Sequence, residues 1–470
     1  MNGREKPLLT ILAIAMVALS SQSLPAAPRA DGQLRLEIVD AETDLPLPAR
    51  IHLKNSRGRP VKLGVAGIAE FGGHFYIDGE YAVPLRRGQY TFELDASPEY
   101  RTQSGHFEIE RHADDSKRIE MKRFANLSDE GWWGADVDVD RRANDMPLIL
   151  RAEGLQDVKM SDFGILLSDS SDPSDPSEQP ANRNSQSKIK IARTPYAWNL
   201  PVWLASEDLA AIALINHHSL RDGVVDKEDV GRPRDRSLYP SGTGNGRWSE
   251  TVYYHVLNCD LRVPPAAGSG SGTNDNPVGT NRVYVHCGDE FSPELWWEGL
   301  EAGRVFVTNG PLLRPTVESQ PPGYVFHLDT NAALTLEIGL DLATRVPVEY
   351  LQIIKNGVVD SEVRLADFVK RKGRLPPVEF DESGWFLVRA VTNNHRTYQF
   401  ASSGPYYVEK AGQPRISRRS VQFFLDWITA ARAHFESAPK LSDAERDSLL
   451  AKQDSAEQFF RDLLAEANAE

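Results

Sequence analysis

The reading of Gly131-Trp-Trp-Gly-Ala-Asp-Val-Asp-Val-Asp-Arg-Arg142 decides the fold. Asp136, Asp138 and Asp140 alternate with Val137 and Val139. A strand has a side-chain period of two, so the pattern predicts one strand with three carboxylates on one face. Same-face neighbours on a strand lie roughly 6.5–7 Å apart. A row of carboxylates at a strand end suits a hard cation such as Ca²⁺ or Mg²⁺. Three adjacent unneutralised carboxylates repel one another, so at least one needs a partner, and Arg141 and Arg142 are at hand. A half-exposed strand whose charged face is held by those arginines is the plainer alternative.

Outward from this stretch, short alternating segments dominate residues 33–123. Leu34-Arg-Leu-Glu-Ile-Val39, Arg50-Ile-His-Leu53, Phe75-Tyr-Ile-Asp78 and Tyr90-Thr-Phe-Glu-Leu94 are examples. Their spacing predicts a β-sandwich, carboxypeptidase-regulatory-like or immunoglobulin-like. Residues 127–317 mix strands and helices, with a Ser/Asp/Pro-rich tract at 168–187 that reads as a disordered loop. Residues 318–410 read as a second β domain, with Asn356-Gly357 as a hairpin turn. Residues 415–470 read as a helical hairpin whose second helix opens on the capping box Ser442-Asp-Ala-Glu445. The fold class is therefore α/β plus β.

The N-terminal 30 residues have the layout of a secretory signal peptide. Arg4 and Lys6 precede an apolar run from Leu8 to Leu19, and a small-residue, Pro-containing stretch follows. No other segment is apolar enough to span a bilayer, so a secreted or periplasmic protein without a membrane span after cleavage is expected. The 470-residue chain carries a net charge of −14, which argues against nucleic acid as a partner. Cys259 and Cys287 would pair in an oxidising compartment or remain two buried thiols.

Other residues carry weaker chemical signals. His217 and His218 follow an apolar strand, and only one of two adjacent strand residues can face a site, so His217 is a candidate metal ligand. Gly268-Ser-Gly-Ser-Gly272 reads either as a backbone anion cradle or as a flexible turn. Arg234, Arg247 and Trp248 sit in a polar, Arg-rich stretch that suits an anionic or glycan ligand, with a salt-bridged surface loop as the alternative. No Gly-x-Ser-x-Gly nucleophile elbow occurs.

Four blocks resemble the secreted CehA/McbA-like branch of the PHP (polymerase and histidinol phosphatase) superfamily. They are Gly131–Arg141, Leu200-Pro-Val-Trp-Leu-Ala-Ser206, Asn258-Cys-Asp-Leu-Arg-Val-Pro-Pro-Ala-Ala-Gly-Ser-Gly-Ser-Gly272 and Ala302-Gly-Arg-Val-Phe-Val-Thr-Asn-Gly-Pro-Leu-Leu313. The resemblance covers roughly 34–317. It implies a distorted, TIM-like (β/α) barrel with divalent metals at the C-terminal ends of its strands. The family's first motif runs Gly-Asp-x-His-x-His; here Asp136 stands at the motif's Asp, and Asp138 and Asp140 stand where the histidines would be. The family's last motif ends Gly-Ser-Asp-x-His, and here Gly268–Gly272 offers no ligand. The resemblance thus implies a reduced barrel with a lost or altered metal centre and little hydrolase activity. At most one divalent metal (Mn, Mg, Ca or Zn) would sit on Asp136, Asp138, Asp140 and His217. An active ester or phosphoester hydrolase with an oxygen-rich Mn or Mg site is the rival reading. A non-catalytic module for a glycan or protein is the third.

Overall fold

The computed structural model describes residues 30–65, 67–168, 189–206, 209–228, 231–394 and 396–470. The signal-peptide stretch and the Ser/Asp/Pro tract lie outside the described residues, apart from Ala30 and Ser168.

The chain is mixed α/β and rich in sheet. Near the N-terminus, Glu80–Leu85, Gly32–Asp40 and Asp114–Met121 form a three-stranded sheet in that order. A five-stranded sheet runs Glu70–Phe71, His74–Asp78, Pro48–Asn55, Gly88–Asp95, Gln103–Ile109. Leu34, Leu36 and Ile38 alternate inward from one sheet and meet Ile51, Leu53 and Leu94 of the other in one core. The alternation that predicts these strands is the same alternation that builds the core.

A four-stranded parallel sheet follows, ordered Gly164–Leu167, Ile189–Ala192, Leu209–Ile215, Pro265–Ala267. Leu209-Ala-Ala-Ile-Ala-Leu-Ile215 is almost wholly buried, as a strand covered on both faces must be. The helix Gly244–Asn258 packs against it and supplies the crossover to Pro265–Ala267.

Three further strands, Trp132–Ala135, Arg282–His286 and Val305–Thr308, are antiparallel. They belong to a nine-stranded sheet that continues through Phe400–Ser403 into Gly384–Thr392 and Tyr406–Lys410. A boundary at 317/318 therefore does not separate two sheets: Val305–Thr308 hydrogen-bonds Phe400–Ser403, a pairing between segments remote in sequence. At the C-terminus, helices Arg418–Ser437 and Asp443–Glu466 pack on each other and on Leu200–Ala205. The second begins on the capping box of Ser442 and Glu445. No helix among the described residues is long and apolar enough to cross a membrane.

Candidate functional site

The Asp-rich stretch leaves regular strand geometry after Ala135. Its antiparallel partner Arg282–His286 pairs with Trp132 through Ala135 and no further. From there the chain runs beside Ala267–Ser271: Val137 N–H donates to Ala267 O (3.3 Å) and Asp140 N–H to Ser271 O (2.7 Å). The strand predicted through Asp140 therefore ends at Ala135, and the three carboxylates lie beyond it. Each has its own environment.

Asp136 turns inward. Its Oδ1 accepts from the backbone N–H of Asp138 (3.2 Å) and Ser269 (2.9 Å), and its Oδ2 from Gly279 N–H (2.7 Å). Burial pushes its carboxyl up to about 7, against the pull of those donors. Asp138 is buried and gripped by Arg193, with Nε 2.8 Å from Oδ2 and Nη2 3.2 Å from Oδ1. This is the two-pronged fork in which a guanidinium matches a carboxylate. Asp140 is exposed.

All these groups gather where the parallel strands end. Arg193 follows Ile189–Ala192, His217 and His218 follow Leu209–Ile215, and the glycine-rich loop follows Pro265–Ala267. In open α/β sheets that edge is the usual ligand crevice. Here it is filled. A Cβ on Gly268 would lie 2.4 Å from Asp138 Cβ, on Gly270 2.4 Å from His217 Cβ, and on Gly272 2.0 Å from Asp140 O. Gly270 and Gly272 also hold positive φ (62° and 117°). The glycines therefore let the loop press against the Asp stretch and His217. Ser269 and Ser271 are fully buried between them and bond to Asn281 and Asn276. Neither an anion cradle nor a flexible turn describes this loop; it is packed wall.

His217 keeps its ring neutral, because burial and the nearby His218 and Arg193 pull its pKa well below the usual value. Its buried Nδ1 has no hydrogen-bond partner. His218 lies against it at a centroid distance of 4.3 Å and bonds through Nδ1 to the Tyr196 hydroxyl.

The Arg234, Arg247 and Trp248 group comes apart. Arg234 is buried between Asp226 and Glu228 and donates to Tyr239 O (2.9 Å). Trp248 is core: it stacks on Trp427 at 6.3 Å and donates to Arg232 O (3.2 Å). Only Arg247 is exposed, on a groove of about 780 Å³ that Lys355 and Arg419 also line. The two cysteines are free thiols, and burial raises both, Cys287 to about 11.

A second cluster lies where the sandwich meets the rest of the chain, and sequence reasoning did not single it out. His52 and Glu93 face each other across neighbouring strands, as do Arg50 and Asp95. One atom each from His52, Glu93 and Asp95 falls within 4.8 Å of the others, so this group could hold a metal ion. Arg221 lies against it, with Nη1 2.9 Å from His52 Nε2 and Nη2 on Glu93. Burial with neighbouring Arg50 and Arg345 lowers Arg221 to about 10. Burial and the adjacent Arg221 push His52 down to about 2, so its imidazole is neutral and faces the Arg221 donor. Behind it, Arg50 spans Asp95 (2.9 Å) and Glu153 (2.5 Å). Arg345 reaches from the C-terminal β region to Asp95 (3.0 Å) and to Tyr100 O (2.6 Å). These pairs line a cleft of about 290 Å³ and bind three parts of the chain together. The available signal was period-two alternation, which sets Arg50 beside His52 and Glu93 beside Asp95.

No family model and no curated protein matches this chain. Among solved structures, the crystal structure of the N-terminal four Ig domains of Dscam1 isoform 8.4 aligns with 82% of this chain and 73% of its own. Identity is 9% and the TM-score 0.15, too low to inform the fold.

Proposed function

We propose that this protein derives from a PHP-type metallohydrolase and has exchanged its metal centre for side-chain and backbone contacts. It has little hydrolase activity and acts as a secreted or periplasmic binding protein, for a glycan, a small ester or another protein. One observation carries the reading. Arg193 grips Asp138 with two hydrogen bonds at the place where the resemblance expects a ligand to a divalent ion. The parallel sheet, with its polar groups gathered at the strand ends, supports it. So does the glycine-rich loop pressed into the crevice. A hydrolase of this type uses metal to activate water and polarise an ester, and a guanidinium does not generate hydroxide.

A second, metal-dependent reading rests on the His52, Glu93 and Asp95 group. A single Mn, Mg, Ca or Zn ion there would require Arg221 to move aside. Metal analysis of purified protein, with Asp138→Ala and His52→Ala variants, decides between them. Substoichiometric metal in the parent and no ester or phosphoester turnover fit the proposal. Stoichiometric metal lost in Asp138→Ala, with turnover lost alongside, would sink it. Metal lost only in His52→Ala moves the centre into the sandwich.

A further inference from the structure

The N-terminal sandwich is not packed through. Between its sheets lies a cavity of about 360 Å³. Protein interiors are normally close-packed, and an apolar cavity of roughly 150 Å³ already stays dry and accepts benzene. This one is more than twice that size. Leu34, Leu36 and Val83 line it from the three-stranded sheet, and Leu53, Phe92 and Phe107 from the five-stranded sheet.

The cavity opens for a topological reason. Gln103–Ile109 and Asp114–Met121 are consecutive strands, yet each pairs only within its own sheet. No ladder joins them, so the sandwich gapes along this edge. Phe92, Phe107 and Ile119 belong to the core cluster but are only partly buried. Gly105 lies opposite Phe92 in the ladder, and a Cβ there would meet the Phe92 ring at 2.9 Å. The missing side chain leaves room for that ring at the cavity wall.

We propose that this cavity binds an uncharged aliphatic chain. The wall offers hydrocarbon and aromatic faces, which suits a chain that is apolar along its length. The polar residues of the lining, His106, Glu108, Asp115, Ser116 and Lys117, sit on the two edge strands. Glu108 and Asp115 outnumber Lys117, so a carboxylate head gains no net attraction there. A hydroxyl or amide head can still hydrogen-bond to them. The site is independent of the strand-end crevice and of any reading of its chemistry.

The test uses the full chain and the uncharged fluorophore N-phenyl-1-naphthylamine. One saturable site is expected, emptied by 1-dodecanol at lower concentration than by dodecanoate. Leu53→Trp, which fills the cavity, should abolish saturable binding. Ile119→Trp narrows the mouth and should do the same; it decides the matter if Leu53→Trp does not fold. Arg247→Ala, remote from the sandwich, should bind as the parent does. Absence of saturable binding in the parent, or unchanged binding in both tryptophan variants, overturns the proposal. Dodecanoate displacing as well as dodecanol overturns the assignment of an uncharged chain.

Discussion

Truncating Arg193 tests whether a guanidinium has taken over a cation's task. Its side chain is 12% exposed and that of Asp138 9%, so the pair lies mostly out of water. Two unit charges about 4 Å apart attract by about 4 kcal/mol at an effective dielectric near 20. Desolvation offsets part of that, and breaking one side of such a pair costs about 3 kcal/mol because the other charge stays buried. Arg193→Ala and Asp138→Ala should each lower stability by about 3 kcal/mol in urea titrations. The double variant should cost clearly less than their sum, with a coupling energy of about 2 kcal/mol. The informative step is then to add zinc. Arg193→Ala leaves Asp138 without its fork and keeps His217, whose neutral ring holds an unpartnered Nδ1. A metal that binds only the folded variant stabilises it by about 2.7 kcal/mol at a hundredfold excess over Kd. Zinc should therefore raise the melting temperature of Arg193→Ala and leave the parent unmoved. Additive single costs would refute the pairing. An equal zinc response in the parent that persists in His52→Ala would refute the idea that Arg193 stands in for the ion.

Other consequences can be checked separately. Gly272→Ala places a Cβ 2.0 Å from Asp140 O at a φ of 117°, so a loss of about 3 kcal/mol or more is expected in thermal unfolding. A loop that merely turned would tolerate it. Trp248→Ala should cost about 3–5 kcal/mol by emptying its place against Trp427, whereas the exposed Arg247→Ala should stay within about 0.5 kcal/mol. Asp136 gives a pH signature. Its folded carboxyl is raised from 3.8 to about 7, so between those values the native state keeps a proton that the unfolded chain releases. That contribution is complete below about pH 4 and is lost as pH rises through 7. It is worth on the order of 4 kcal/mol. Urea midpoints for the parent minus those for Asp136→Asn should therefore fall from pH 4 to pH 7.5; a flat difference would show that the three N–H donors keep the carboxyl ionised.

What could be read from the chain follows the range of the interactions. Leu209–Ile215 and the Ser442–Glu445 cap are written in neighbouring residues, and their elements are where the pattern puts them. The Asp stretch misleads because alternation continues through Asp140 while its ladder stops at Ala135. A short carboxylate that captures nearby backbone N–H groups competes with strand pairing, and Asp136 does this at three donors. Trp248 was hidden in a different way. Its helix starts on Gly244-Asn-Gly246, residues of poor helix propensity without a side-chain cap, so the segment reads as loop. Contacts with Arg418–Ser437 and the Leu209–Ile215 strand override that local preference. The partner of Asp138 lies 55 residues away, past the tract that separates two strands of the parallel sheet. Nothing near Arg193 marks it as different from any strand-end arginine. On the proposed reading, conversion of a metal centre into an ion pair would be visible in sequence only from the ligand side, as an aspartate where the family has histidine. The compensating charge arrives from a position fixed by tertiary structure.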